Sequence, residues 1–120
     1  MAGIRSSKEA NMISRVITCT IQRDKVDEFR NAINHDFLPR IQAQPGFVEN
    51  VESCDPSTGK YLCLTLWNSE ADVRNYDRGL FQEIAGRLAP LMAGAPDVQT
   101  LPVDNASAQK MRAGEMSAVA

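Results

Sequence analysis

Apolar residues recur along this chain with two periods, and the switches between them mark out its elements. Residues 12–22, MISRVITCTIQ, are rich in β-branched side chains. Ile17, Cys19 and Ile21 alternate there with Val16, Thr18 and Thr20, the period-two pattern of a strand. From Val26 the period lengthens. Val26, Phe29, Ile33, Phe37 and Ile41 form one stripe of an amphipathic helix, with Lys25, Asp27, Glu28 and Arg30 off it. Asp24 is its candidate N-cap. Pro39 lacks a backbone donor and predicts a kink or restart near Leu38, and Gln44-Pro45-Gly46 predicts the end.

Residues 47–55 read as a second strand, polar enough for an edge or an interface, and Pro56-Ser57-Thr58-Gly59 as a hairpin turn. In the third strand Leu62, Leu64 and Leu66 share one face, while Tyr61, Cys63, Thr65 and Trp67 share the other. The leucine face is expected under the helices and the aromatic face is expected to be partly open. Asn68 or Ser69 then caps a helix with Glu70 and Asp72 in its first turn, where the helix dipole favours negative charge. Trp67, at this junction, is expected at the wall of any pocket. Gly79 predicts a bend before a second helical piece carrying Leu80, Phe81, Ile84, Leu88, Leu91 and Met92, and residues 97–103 predict a fourth strand.

The order is βαββαβ, the split-βαβ, ferredoxin-like arrangement of the α+β class, with a four-stranded antiparallel sheet and its helices on one face. The other face, expected to carry Val16, Tyr61 and Trp67, is too apolar for water. A symmetric homodimer through the sheet is the simplest closed solution. Residues 1–11 read as a flexible arm, 12–103 as the domain and 104–120 as a tail.

A length of 120 residues suits one domain. The 13 basic and 15 acidic residues are well mixed, which leaves no basic patch for nucleic acid. No apolar run approaches the roughly 20 residues of a membrane span. The stretch MAGIRSSKEAN lacks the apolar segment of a secretory signal, so a cytoplasmic location is expected. Cys19, Cys54 and Cys63 lie singly and read as small buried hydrophobes. His35 has no paired ligand spacing, so no metal site is expected. P-loop, G-x-G-x-x-G and Ser-His-Asp patterns are absent from the sequence.

The turn Pro45-Gly46-Phe47 and the run Trp67-Asn68-Ser69-Glu70-Ala71-Asp72-Val73, set in this element order, resemble the antibiotic biosynthesis monooxygenase domains of the dimeric α+β barrel superfamily. The resemblance covers Met12 to Val103. It implies a homodimer whose two sheets form a barrel, with a pocket in each subunit between sheet and helices. Some members oxidise polycyclic phenols to quinones with O2 and neither metal nor flavin; others bind and degrade haem. In the quinone-forming branch a strand-three Trp, an Asn, a Tyr and a helical Arg are implicated. Trp67 matches the first and Arg87 the last, with Tyr76 and Asn68 as candidates for the other parts. The stretch Asn75-Tyr76-Asp77-Arg78 holds no His where haem-degrading relatives carry their iron ligand, so the haem reading has least support.

Cofactor-free oxygenation needs a dry slot, donors for a developing phenolate and a base. Trp67 offers a flat wall and one N–H, Arg87 a forked cation and Asn68 an amide. Each has a plainer role: Trp67 as a core or interface anchor, Arg87 as a solvated helix residue, Tyr76 as packing at a helix bend. The sequence therefore leaves two readings, a small oxygenase acting without a cofactor on an aromatic or quinol-like substrate, and a non-catalytic ligand-binding or structural dimer. They separate on whether Trp67, Arg87 and a third polar group converge on a cavity that admits a bicyclic ring.

Overall fold

A computed structural model of the chain describes residues 12–105. The expected arm and all but the first residues of the expected tail lie outside them. Strand β1 (Ile13–Thr20) leads through a 3-10 turn (Arg23–Lys25) into α1 (Val26–Asn31), a π-helical turn (Ala32–Phe37) and α2 (Leu38–Gln42). Strands β2 (Phe47–Asp55) and β3 (Lys60–Trp67) form a hairpin. Helices α3 (Glu70–Arg78) and α4 (Leu80–Leu88) and the last strand, β4 (Asp97–Pro102), follow. The sheet is antiparallel in the order β2-β3-β1-β4, the α+β ferredoxin-like fold that the element order predicts.

Pro39 explains the break in the first helix. It has no N–H for the His35 carbonyl, and its ring crowds that carbonyl. The chain widens into the π turn, closed by a bond from the Leu38 N–H to the Ile33 carbonyl, and restarts as α2 with Pro39 in its first turn. Asp24 lies within the 3-10 turn and makes no side-chain cap bond, contrary to expectation.

The two motif-like stretches meet in space. Gly46 adopts φ +83, and a Cβ there would overlap the Asp72 carboxyl group. The Gly46 carbonyl accepts from the Asn68 N–H at 2.8 Å. Ser69, not Asn68, is the N-cap of α3: its Oγ accepts from the Asp72 N–H at 3.2 Å and donates to Asp72 Oδ2 at 2.9 Å. The glycine turn is therefore the seat on which the start of α3 rests. Gly79 separates α3 from α4, as its place in the pattern predicts.

The two faces of the sheet are reversed from the sequence reading. Tyr61, Thr65 and Trp67 are buried beneath the helices, together with Ile13, Phe29, Phe37, Val73, Tyr76 and Ile84. The leucine face points away from them, where Leu66 packs with Met12 and Val48, and Leu64 and Val103 close on that cluster. Of the three residues expected on the open face, only Val16, paired with Leu64, lies on it. Alternation sorts residues into two classes but does not say which class meets the helices, and the aromatic class fits against Phe29, Phe47 and Tyr76. Among the described residues no helix is long and apolar enough to cross a membrane.

Candidate active site

Two concavities meet on the helix side of the sheet. An apolar cavity of about 60 Å³ is lined by side chains that include Phe29, Ile33, Tyr61, Tyr76, Phe81 and Leu88. Beside it a mostly polar recess of about 330 Å³ opens between α1 and the edge strand β2, lined by Arg30, Asn34, Glu52, Ser53, Cys54 and Tyr61. Glu52 and Tyr61 line both spaces. A wider concavity, about 700 Å³, is an open groove at the far end of the sheet, where Thr20, Asp55, Lys60 and Asp97 face solvent.

Glu52 faces inward because of a β-bulge. Phe47 pairs with Trp67, yet Glu49 pairs with the next residue, Leu66, so β2 slips by one beyond Phe47. Asn50, Glu52 and Cys54 thereby turn to the helix side opposite Thr65, Cys63 and Tyr61. The Glu52 carboxylate accepts from Asn50 Nδ2 at 3.1 Å. Burial raises its pKa, and hydrogen bonding from its neighbours opposes the rise only in part.

The hydroxyl of Tyr61 is sealed from solvent and makes no hydrogen bond of ordinary geometry. Burial, followed by nearby Cys63 and Glu52, pushes its pKa far above the usual phenol value. Burial likewise drives Tyr76 upward. The Cys63 thiol is pushed up to about 12 and the Cys19 thiol to about 11, chiefly by burial. All three cysteines are half-buried and free, and the raised values of Cys19 and Cys63 make those two thiols poor nucleophiles. Glu52 is the one carboxylate among the described residues lining the cavity.

The four sequence candidates do not converge. Trp67 is fully buried, but it is absent from the cavity wall where it was expected. Its Nε1–H donates to Thr65 Oγ1 at 2.8 Å, and its ring lies 4.7 Å from that of Tyr76. Arg87 is exposed on α4, donates to Asp36 Oδ2 at 2.8 Å and stacks over Phe37. Asn68 is exposed at the end of β3. Tyr76 alone of the four borders the cavity. His35 is exposed on the π turn.

The sequence reading did not single out Glu52, Tyr61 or the ion pair of buried Arg15 with half-buried Asp77. Arg15 is 5% exposed on β1; Nη1 and Nη2 donate to the two Asp77 oxygens at 2.8 and 2.6 Å, and Nε donates to Thr100 at 2.9 Å. Its guanidinium also lies over the Phe81 ring. With its donors so engaged, Arg15 ties α3 to β1 and β4. An arginine at an inward position of β1 was the available signal.

No protein-family model and no curated protein sequence matches the chain. Solved structures match it in fold. A candidate antibiotic biosynthesis monooxygenase from Caulobacter crescentus aligns with TM-score 0.70 and 24% identity over 82% of this chain and 94% of its own. A monooxygenase from the gene ActVA-Orf6 of Streptomyces coelicolor, in complex with nanaomycin D, aligns with TM-score 0.67 and 16% identity over 82% and 91%. A substituted form of SnoaB, a cofactor-independent oxygenase from Streptomyces nogalater, aligns with TM-score 0.62 and 16% identity over 81% and 97%. The resemblance drawn from the sequence therefore holds for the fold, which these structures share; fold alone does not carry an activity.

Proposed function

We propose that the protein is a homodimeric oxygenase that oxidises a small phenolic or quinol-like aromatic compound with O2 and no cofactor. In this reading the reaction occurs at the boundary between the apolar cavity and the polar recess. The observation that carries this reading is Glu52, a carboxylate of raised pKa that borders both spaces. Such a base gains proton affinity from burial while the recess gives its proton a route to water. The names of the fold neighbours from Streptomyces coelicolor and Streptomyces nogalater, a monooxygenase and a cofactor-independent oxygenase, support the reaction class.

In this reading Glu52 takes a proton from an acidic CH2 or O–H of the substrate. For a CH2 group, the resulting anion gives one electron to O2 and the radical pair closes a C–O bond. The hydroperoxide takes a proton, loses the remaining hydrogen on carbon and expels water, leaving C=O. The balance is CH2 plus O2 to C=O plus H2O. Tyr76 forms part of the apolar wall, and Trp67 holds Tyr76 in place rather than touching the ring. The second protomer covers the open sheet face, where Val51 and Leu101 are 51% and 53% exposed beside half-buried Leu64. A Leu64→Glu variant is expected to sediment as a monomer.

One observation favours a second reading, a non-catalytic ligand-binding dimer. The apolar cavity holds about 60 Å³, against roughly 150 Å³ for a cavity known to admit benzene. A ring enters it only if wall residues such as Phe81 and Met92 give way. Oxygen uptake by the purified protein with anthrones and naphthohydroquinones tests the choice, with Trp67 emission as an independent report of binding. Saturable uptake that falls about 100-fold in Glu52→Gln supports the oxygenase. Binding without uptake supports the second reading, and neither signal overturns both.

A further inference from the structure

The recess beside the cavity holds more donors than its own residues use. Arg30 and Asn34 stand one helical turn apart on the same side of the first helix, and both line it. Among the described residues Arg30, like Arg23 and Arg78, makes no ion pair, whereas Arg15, Arg40, Arg74 and Arg87 each have a carboxylate partner. Of the three unpaired arginines Arg30 is the one that lines this recess. The edge of β2 borders the recess at Ser53, and the Tyr61 hydroxyl is sealed behind it beside Glu52 and Cys63. Against these stands one acceptor side chain of full charge, Glu52, already engaged by Asn50. A space so lined lacks an acceptor-rich, anionic group.

The geometry points to an oxyanion-holding site on the first helix: Arg30 and Asn34 bind the phenolate oxygen of a ligand whose ring lies toward the apolar cavity. This deepens the proposed function and rests on it. It assigns to the first helix the forked cation that the sequence reading sought in Arg87, which is turned to Asp36 instead. It also divides the labour at the boundary. Glu52 accepts the proton, and Arg30 holds the oxygen on which the negative charge remains. Ligands without an ionisable O–H, such as naphthalene, gain nothing from the recess.

The test uses a nitrophenol that ionises near neutrality and absorbs differently as phenol and phenolate. Arg30 is exposed and unpaired, so Arg30→Gln leaves the fold intact. Other titratable groups lining the recess are Glu52, Cys54 and Tyr61. Bound to the wild type, the probe is expected to ionise about one pH unit or more below its free value. The shift should vanish in Arg30→Gln and return in part in Arg30→Lys. Binding with the free-solution midpoint, or a shift that survives Arg30→Gln, overturns the inference and leaves the ligand reading standing. Failure of the probe to bind, by equilibrium dialysis and Trp67 emission, overturns both.

Discussion

Replacing Gly46 by alanine tests the junction that joins the first helix, β2 and α3. Two costs are expected to combine. Gly46 sits at φ +83, and an L-residue held in the left-handed region costs roughly 1–2 kcal/mol. The new methyl also overlaps the Asp72 carboxyl group. Overpacking of this kind costs about 1–3 kcal/mol, and moving the Asp72 carboxyl off the Ser69 hydroxyl forfeits a hydrogen bond worth about 1 kcal/mol. Together these come to about 3–6 kcal/mol, a third or more of the stability of many domains. Urea unfolding followed through Trp67 emission reads this as a lower midpoint at unchanged slope. Gly94→Ala is the control, because Gly94 also has positive φ (+109) but nothing stands within 4 Å of its added Cβ. It should show the backbone cost alone. If the two variants lose the same stability, the steric account of the Gly46 seat is wrong; a Gly46→Ala variant within about 1 kcal/mol of wild type refutes both parts.

Three further outcomes are expected. Tyr61→Phe removes a buried hydroxyl with no partner, so unliganded stability should hold or rise by about 1 kcal/mol; a clear loss on urea unfolding would mean that the hydroxyl is satisfied after all. Asp77→Ala leaves Arg15 buried with only Thr100 as hydrogen-bond acceptor. The expected loss is about 2–4 kcal/mol, discounted from the fully buried case because Asp77 is a third exposed, and Arg15→Met should lose less. For Glu52 the folded pKa lies above the unfolded one, so the native state holds the proton more tightly. The stability of wild type relative to Glu52→Gln should therefore fall as pH rises from the ordinary carboxyl value of about 4.5 through the raised one; a flat or rising difference contradicts the burial of the carboxyl.

Much of the fold was legible along the chain. Period-two and period-three-to-four stripes located the strands and helices, Pro39 marked the break before α2, Gly79 the bend, and Pro45-Gly46 the turn. These are local effects of backbone sterics and missing donors, which act within a few residues. Three things were settled only in tertiary structure. Which face of β3 meets the helices depends on which residues the helices bring: Phe29 and Tyr76 complement Tyr61 and Trp67, leaving the leucines outside. The direction of Glu52 depends on one extra residue at the start of β2, and a single slip inverts every side chain beyond it. The partners of Trp67, Arg87 and Arg15 lie two, 51 and 62 positions away, and only the packed chain selects Thr65, Asp36 and Asp77 from the many residues that such side chains satisfy equally well in an alternation pattern.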